Sequence, residues 1–187
     1  MLKLPENVLN GPGDAALRAS CYIWCMSGRH GKEGERTVVY TVGHSTRTID
    51  EFLALMAAYG IRMVADVRTL PGSRRVPQYN AENLQSVLPA AGIAYRHFRD
   101  LGGLRHTMRD SPNTGWRNKS FRGYADYMQT PAFDHGLAEL MAVAREEKTA
   151  VMCAEAVWWR CHRRIISDYL IAAGEQVFNI LGRNHIE

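Results

Sequence analysis

Short apolar runs alternate with amphipathic segments from residue 37 to the end of the chain. Runs of β-branched and aliphatic residues bounded by glycine or polar residues are typical of buried strands. The sequence therefore predicts five strands, over residues 37–42, 61–67, 93–98, 149–153 and 176–181.

Between these runs, apolar residues recur three and four positions apart, which is the spacing of helices that bury one face. The pattern predicts four helices, over residues 49–59, 81–91, 131–144 and 161–173. Thr48 and Glu51 form a capping-box pattern before the first of them. Residues 100–122 show no period and predict a long loop, which in a compact domain is usually functional.

Alternating strands and helices predict an α/β fold. We expect a single domain over residues 37–187, with a mostly parallel, Rossmann-like sheet of about five strands and helices on both faces. Residues 1–36 contain scattered glycines and prolines and are predicted to be a poorly ordered N-terminal extension. In sheets of this kind, ligands bind beyond the carboxyl ends of the strands.

The composition fits one globular domain, since 46% of the 187 residues are hydrophobic and 22% are charged. No apolar stretch reaches the roughly 18 residues of a membrane span. The four cysteines lie in a chain without a signal-peptide pattern. We therefore expect a cytoplasmic protein with reduced thiols.

The basic residues are mainly arginines. A balance of 23 basic against 19 acidic residues gives a net charge of +4, which by itself does not indicate a nucleic-acid-binding protein. Four of the 23 are lysines, which leaves 19 arginines. A guanidinium binds phosphate or carboxylate through two parallel hydrogen bonds, so the composition favours an anionic ligand, with arginine-rich codon usage as the alternative explanation.

Four polar motifs follow predicted strand ends or begin a predicted helix. They are Gly43-His44-Ser45, Asp66-Val67-Arg68, Cys153-Ala154-Glu155 and Cys161-His162-Arg163. The carboxyl ends of parallel strands meet at one edge of a sheet, whereas the strand starts at the other edge lack such motifs. We therefore expect one pocket lined by His44, Asp66, Arg68, Cys153, Glu155 and Arg163.

The thiols are the candidate nucleophiles. Cys161 is predicted at a helix start beside Arg163, and both features lower the pKa of a thiol. Cys153 ends an apolar strand, where a buried, unreactive thiol is the alternative. Glu155 is a candidate general acid or base if Trp158 and Trp159 exclude water from it.

The other motif residues are candidates for proton transfer and substrate binding. His44 is a candidate proton carrier, and Arg68 and Arg163 are expected to bind the anion together with Ser45 and Asp66. Asp66 and Arg68 are equally compatible with a structural ion pair. The favoured hypothesis is an enzyme that acts on a small or nucleotide-like anionic substrate.

Two alternatives remain open. Residues 96–122 contain six arginines and Lys119 against two aspartates, a local charge of +5, with Phe98, Trp116 and Phe121 interleaved. Such a segment suits nucleic acid, although a lid over an anionic small molecule is favoured. The second alternative is a metal-binding sensor that uses Cys153, Cys161 and a histidine. The cofactor is unknown from the sequence; neither GxGxxG nor GxxxxGK[ST] occurs, which argues against dinucleotide and Walker-type nucleotide binding.

The order of these motifs also resembles a known family. Val42-Gly43-His44-Ser45, Asp66-Val67-Arg68, Leu101-Gly102-Gly103, Met152-Cys153-Ala154-Glu155 and Cys161-His162-Arg163 resemble domain-of-unknown-function family 488, from about Tyr40 to the end of the chain. The resemblance implies a compact α/β domain. It implies no particular reaction, since the family has none assigned.

Overall fold

A six-stranded sheet forms the centre of the structure, a computed structural model that describes residues 36–187. Its strands are β1 (Val38–Gly43), β2 (Met63–Asp66), β3 (Ala94–His97), β4 (Thr149–Cys153), β5 (Gln176–Gly182) and β6 (His185–Ile186). In space they follow the order β3, β2, β4, β1, β5, β6, and only β6 is antiparallel to its neighbour. The predicted extension over residues 1–36 lies outside the described residues apart from Arg36.

Helices cover both faces of this sheet, as the sequence predicts. They are α1 (Ile49–Ala58), α2 (Ala81–Ala90), α3 (Lys119–Tyr127), α4 (Pro131–Glu146) and α5 (Arg163–Ala172). Helices α1 and α2 bury Phe52 and Leu84 against one face. Helices α3, α4 and α5 cover the other face, where Leu137 and Ile165 lie in the core. None of these helices in residues 36–187 is both long and apolar enough to span a membrane.

The first helix begins and ends where its local signals predict. The Glu51 amide donates to Thr48 Oγ1 at 3.2 Å, and the Thr48 amide donates to Glu51 Oε2 at 2.8 Å. This reciprocal pair satisfies two donors that a helix N-terminus leaves free. Gly60 follows the helix with a φ of 62°, a left-handed conformation that glycine adopts without steric strain.

The predicted loop over residues 100–122 was too long. Helix α3 begins inside it at Lys119, because the Asn118 side chain accepts hydrogen bonds from the amides of Ser120 and Phe121. Gly123 weakens the helical pattern in the sequence. A Cβ on Gly123 would overlap the carbonyl oxygen of Arg105, so glycine is required for this close approach of helix and loop.

The last helix starts later than predicted, and one strand was not predicted. Trp158–Arg160 form a separate 3₁₀ turn, and Cys161 has extended backbone with φ −134° and ψ 173°. Cys161 therefore precedes α5 rather than opening it. Strand β6 is only two residues long, too short for a periodic pattern, and runs beside β5 near the chain end.

The connections leave β1 and β4 toward opposite faces. Strand β1 leads to α1 on one face, and its neighbour β4 leads to α5 on the other. This arrangement is the switch point at which doubly wound sheets bind their ligands. The motifs that follow these two strands therefore meet at the predicted place.

Candidate functional site

Backbone hydrogen bonds join the segments that follow β1 and β4. The His44 amide donates to the Cys153 carbonyl at 2.9 Å, and the Ser45 amide donates to the Ala154 carbonyl at 3.0 Å. Ser45 has a φ of 52°, an uncommon conformation for a residue with a side chain. The sheet edge is thus extended past the strands into a fixed platform.

Two cysteines and one arginine form a compact cluster on this platform, which we call the thiol cluster (Cys153, Cys161 and Arg163). The two Sγ atoms are 3.2 Å apart. Arg163 Nε lies 3.0 Å from Cys153 Sγ and 3.3 Å from Cys161 Sγ, and the Arg163 amide donates to Cys161 Sγ at 3.4 Å. One residue therefore contacts both sulfur atoms.

The remaining donors of Arg163 are also used inside the domain. Nη2 donates to the Glu155 carbonyl at 2.5 Å, and Nη1 donates to Thr41 Oγ1 at 3.3 Å. The Thr41 hydroxyl in turn donates to Asn179 Oδ1 at 2.7 Å. The side chain of Arg163 is only 1% exposed. Among the described residues, no carboxylate lies within ion-pair distance of this buried cation.

The cluster separates the two thiols by their pKa values. The hydrogen bond from the Cys153 S–H and the nearby Arg163 guanidinium lower the pKa of Cys161 to about 6, although burial opposes this shift. The same hydrogen bond, together with burial, raises the pKa of Cys153 well above its ordinary value. Both shifts favour the thiolate on Cys161 and the thiol on Cys153.

A second cluster, which we call the ion-pair cluster (Asp66, Arg68, His44 and Tyr79), lies beside the first. Arg68 Nε donates to Asp66 Oδ1 at 2.8 Å and Nη2 donates to Oδ2 at 2.6 Å, so the pair is bidentate. Arg68 Nη2 also donates to the Tyr79 carbonyl at 2.8 Å. Tyr95 adds a hydroxyl hydrogen bond to Asp66 Oδ2 at 2.8 Å. Hydrogen bonds and charge from Asp66 raise the pKa of Arg68 against the opposing effect of burial.

His44 belongs to the ion-pair cluster as a neutral ring. Burial lowers the pKa of His44 to about 4. The ring stacks on Tyr79 with centroids 4.0 Å apart. Its Nδ1 lies 2.8 Å from the Ser45 carbonyl and its Nε2 lies 3.3 Å from Arg68 Nη1. These partners require Nδ1 to donate and Nε2 to accept, which assigns the tautomer.

His162 is held apart from the thiols. Its Nε2 donates to the Val67 carbonyl at 2.9 Å, and burial lowers the pKa of this ring to about 4. A Cβ on Gly103 would lie 2.8 Å from His162 Nδ1, so the glycine leaves room for the ring. Within residues 36–187, no group of three His, Cys, Asp or Glu side chains is arranged to hold a metal ion.

The predicted site residues are thus divided between two clusters instead of lining one pocket. In the sheet register Asp66 pairs with Met152, one residue before Cys153. Successive side chains point to opposite faces, so Asp66 and Cys153 project to different sides of the sheet. Glu155 contributes its carbonyl oxygen to the thiol cluster, and the residue itself is exposed to solvent.

Sequence reasoning missed the polar residues that support both clusters. Thr41 and Asn179 are paired in the register of β1 and β5, and each is a polar residue flanked on both sides by apolar or aromatic residues. That isolated polarity is the signal that could have identified them. Tyr79 and Tyr95 carry no comparable signal, because aromatic residues are ordinary in a core.

A basic cavity of about 410 Å³ lies where residues 105–107 approach the start of α3. Its lining residues are Arg105, His106, Thr107, Lys119, Ser120 and Arg122. Arg105 Nε donates to the Gly102 carbonyl at 2.9 Å, and Arg122 Nε donates to the Trp116 carbonyl at 3.0 Å. The backbone therefore holds two of its guanidinium groups in place.

The sequence model of the family described as Domain of unknown function DUF488 matches residues 48–170. The chain belongs to this family. The matched range of DUF488 includes Asp66, Arg68 and the complete sulfur pair, whereas His44 and Ser45 precede it. Neither the curated proteins nor the solved structures contain a match to this DUF488 chain.

Proposed function

We propose that this protein is a thiol-dependent enzyme that acts on a small anionic substrate, with Cys161 as the nucleophile. The observation that carries this proposal is the burial of the Arg163 guanidinium against two sulfur atoms. A buried cation needs a compensating charge, and no carboxylate supplies it among the described residues. A Cys161 thiolate provides that charge.

The other members of the site receive supporting roles. The Cys153 S–H, 3.2 Å away, is the nearest proton donor to the Cys161 sulfur. Arg160 and Arg164, which flank Cys161 along the chain, are exposed and supply a positive field that attracts an anionic substrate. Arg68, with Asp66, His44 and Ser45, fixes the segment after β1 that carries this platform.

The test is the pH dependence of Cys161 alkylation in the full chain, with Cys21 and Cys25 replaced by serine. We expect the rate of reaction with iodoacetamide to rise with pH through a midpoint at about 6 and then to level off, since the thiolate reacts and the thiol does not. At pH 7 the thiolate fraction alone favours Cys161 over an ordinary thiol by about thirtyfold. Peptide mass mapping identifies the modified residue.

The control is the matched variant Cys161→Ser in the same background. It should lose the fast reaction, because the remaining thiol, Cys153, is only 3% exposed. A midpoint near that of an ordinary thiol, or alkylation of Cys153 before Cys161, would contradict the proposal.

A second candidate function is binding of phosphate groups on nucleic acid by the basic cavity. The observation that favours it is the convergence of Arg105, Lys119 and Arg122 on one cavity. Phe98 is buried, and Trp116 stacks on Phe121 with ring centroids 5.5 Å apart while both rings pack against the core. These three aromatic rings are therefore not available for stacking with bases. The candidate mode is therefore contact with the phosphate backbone.

A further inference from the structure

We infer that Cys161 and Cys153 form a two-thiol redox pair that reduces a small hydroperoxide, with Cys161 as the attacking thiol and Cys153 as the resolving thiol. This inference rests on the proposed nucleophile Cys161, and it goes beyond the proposed anionic substrate because a hydroperoxide is neutral; it assigns a second substrate class and a second reacting group to the same site. It stands on the geometry of the thiol cluster, in which both sulfur atoms and the Arg163 side chain lie in mutual contact.

The distance between the sulfur atoms favours this chemistry. A covalent S–S bond is about 2.05 Å long, and the two Sγ atoms lie 3.2 Å apart. Closing the gap requires a shift of about one ångström. Cys161 lies outside the strands and helices, in extended backbone between the turn Trp158–Arg160 and α5.

In the first step, the Cys161 thiolate attacks one oxygen of the hydroperoxide. The new S–O bond forms as the O–O bond breaks, which yields Cys161 sulfenic acid and an alkoxide that takes a proton from solvent and leaves as an alcohol. The sulfur is oxidised by two electrons and the peroxide is reduced by two. Arg163 stabilises the thiolate before attack.

In the second step, the Cys153 sulfur attacks the sulfur of the Cys161 sulfenic acid. The S–S bond forms, the S–O bond breaks, and the hydroxyl leaves with the Cys153 proton as water. Oxidation of Cys161 removes its negative charge, so the Arg163 guanidinium, 3.0 Å from Cys153 Sγ, becomes free to stabilise a Cys153 thiolate. A small dithiol such as dithiothreitol then reduces the disulfide and restores both thiols.

The limited access to the cluster favours a small oxidant over a protein disulfide. Cys153 is 3% exposed, and Cys161 is partly exposed beside the half-buried Trp158. A hydroperoxide needs only one oxygen to reach Cys161. A protein disulfide would have to bring two sulfur atoms and their backbone into the same space.

The experiment treats the full chain, with Cys21→Ser and Cys25→Ser, with one equivalent of hydrogen peroxide or of tert-butyl hydroperoxide at neutral pH. We expect the intact mass to fall by two hydrogens, peptide mapping to locate the bond between Cys153 and Cys161, and dithiothreitol to reverse the change. The reaction should be at least about tenfold faster than in the Cys161→Ser variant, whose remaining thiol, Cys153, is 3% exposed.

The matched variant Cys153→Ser separates the two steps. It should stop at a Cys161 sulfenic acid, which dimedone captures as a stable adduct, and it should form no internal disulfide. Peroxide oxidation of Cys161 that gives the same sulfenic acid whether or not Cys153 is present would overturn the resolving role. Slow oxidation, equal to that of Cys161→Ser, would overturn the whole inference.

These outcomes are distinguishable from failure of the proposed function. If Cys161 is alkylated with a midpoint at about pH 6 but peroxide forms no disulfide, the nucleophile remains and the redox pair is wrong. If alkylation shows an ordinary midpoint as well, both proposals are wrong. Loss of folding in a variant is detected by circular dichroism before either reaction is interpreted.

Discussion

Arg163 places a positive charge inside the domain at a point where two sulfur atoms and a carbonyl oxygen receive its hydrogen bonds. A guanidinium can serve several acceptors at once because its donors have a fixed planar arrangement. An ammonium group keeps the charge but lacks that arrangement. Arg163 therefore contributes both to the lowered pKa of Cys161 and to the position of the segment that follows β4.

The substitution Arg163→Lys should raise the pKa of Cys161 toward that of an ordinary thiol. Opposite charges at hydrogen-bond distance shift a pKa by about one unit or more, and a lysine that reaches one sulfur no longer serves both. The change should also lower the free energy of unfolding by about 3 kcal/mol, because buried acceptors lose their donors. The pH profile of alkylation and urea denaturation measure the two effects.

The matched control is Arg164→Lys. The neighbouring Arg164 is exposed, pairs with Asp168 and lies over Trp116. This variant should leave the alkylation midpoint of Cys161 unchanged. A folded Arg163→Lys protein with an unchanged midpoint would mean that the Cys153 hydrogen bond alone determines the thiolate.

The direction of the Cys161 pKa shift could be predicted from its neighbours in sequence, whereas its contact with Cys153 could not. The predicted helix start was wrong, but the adjacent arginines indicated a low pKa, and Arg163 is among the groups that lower the pKa of Cys161. The strongest contribution comes from Cys153, which is eight residues away in the chain. That contact depends on how the turn Trp158–Arg160 folds back, which neither propensity nor periodicity specifies.

The strand β1 ends at a position where only glycine fits. A Cβ on Gly43 would overlap the Glu155 carbonyl oxygen and lie 2.7 Å from its carbonyl carbon and 2.8 Å from Ala156 Cα. These atoms belong to backbone, so they cannot move independently of the segment between β4 and α5. The close approach of β1 to this segment also places the Glu155 carbonyl within reach of Arg163.

Gly43→Ala should therefore displace the segment after β4 and disorganise the thiol cluster. We expect a loss of about 3 kcal/mol in the free energy of unfolding, typical of overpacking, and a slower alkylation of Cys161 at neutral pH. Urea denaturation and the alkylation rate measure the two consequences. Gly182→Ala is the control, because a Cβ there meets only His185 Cβ at 3.8 Å. Equal stability of the two variants would contradict the close-packing argument.

The helices and strands were predictable to different degrees. The capping box at Thr48 located the start of α1 because its chemistry is entirely local. Asn80 is the N-cap residue of α2 as predicted, yet its side chain accepts a hydrogen bond from the Ser73 amide instead of capping the helix. Helix α3 was missed because its cap, Asn118, lies in a segment without apolar period.

Which face of the sheet each motif occupies is a property of the whole molecule. The sequence predicted that the motifs share the carboxyl edge, and they do. Assigning a face requires the register between strands, and a shift of one residue reverses it. The register of β2 against β4 is set by long-range packing of the two cores, so the division into two clusters could not be read from the sequence.

If the basic cavity binds nucleic acid, the affinity of the whole protein for nucleic acid should depend on the salt concentration. Net charge is +4, and the basic cavity concentrates positive side chains on one part of the surface. Each phosphate that a cation neutralises releases counterions, so the affinity for single-stranded nucleic acid should fall with salt. With three cationic side chains at the cavity, the logarithm of the binding constant should fall by about two for each tenfold rise in salt.

Fluorescence anisotropy with a labelled single-stranded oligonucleotide at several salt concentrations measures this slope. One pair of variants then tests whether the basic cavity is the part of the protein that binds the oligonucleotide. Lys119 is exposed at the cavity, and Arg62 is exposed near the amino end of β2, at the opposite edge of the sheet. Lys119→Gln should reduce the slope by about 0.7, because one phosphate contact is lost. Arg62→Gln removes the same charge from the molecule and should leave the slope unchanged. Equal effects of the two substitutions on the slope would mean that net charge alone attracts the nucleic acid. If the unmodified protein does not bind the oligonucleotide at low salt, the second candidate function is wrong and the thiol site remains the functional centre.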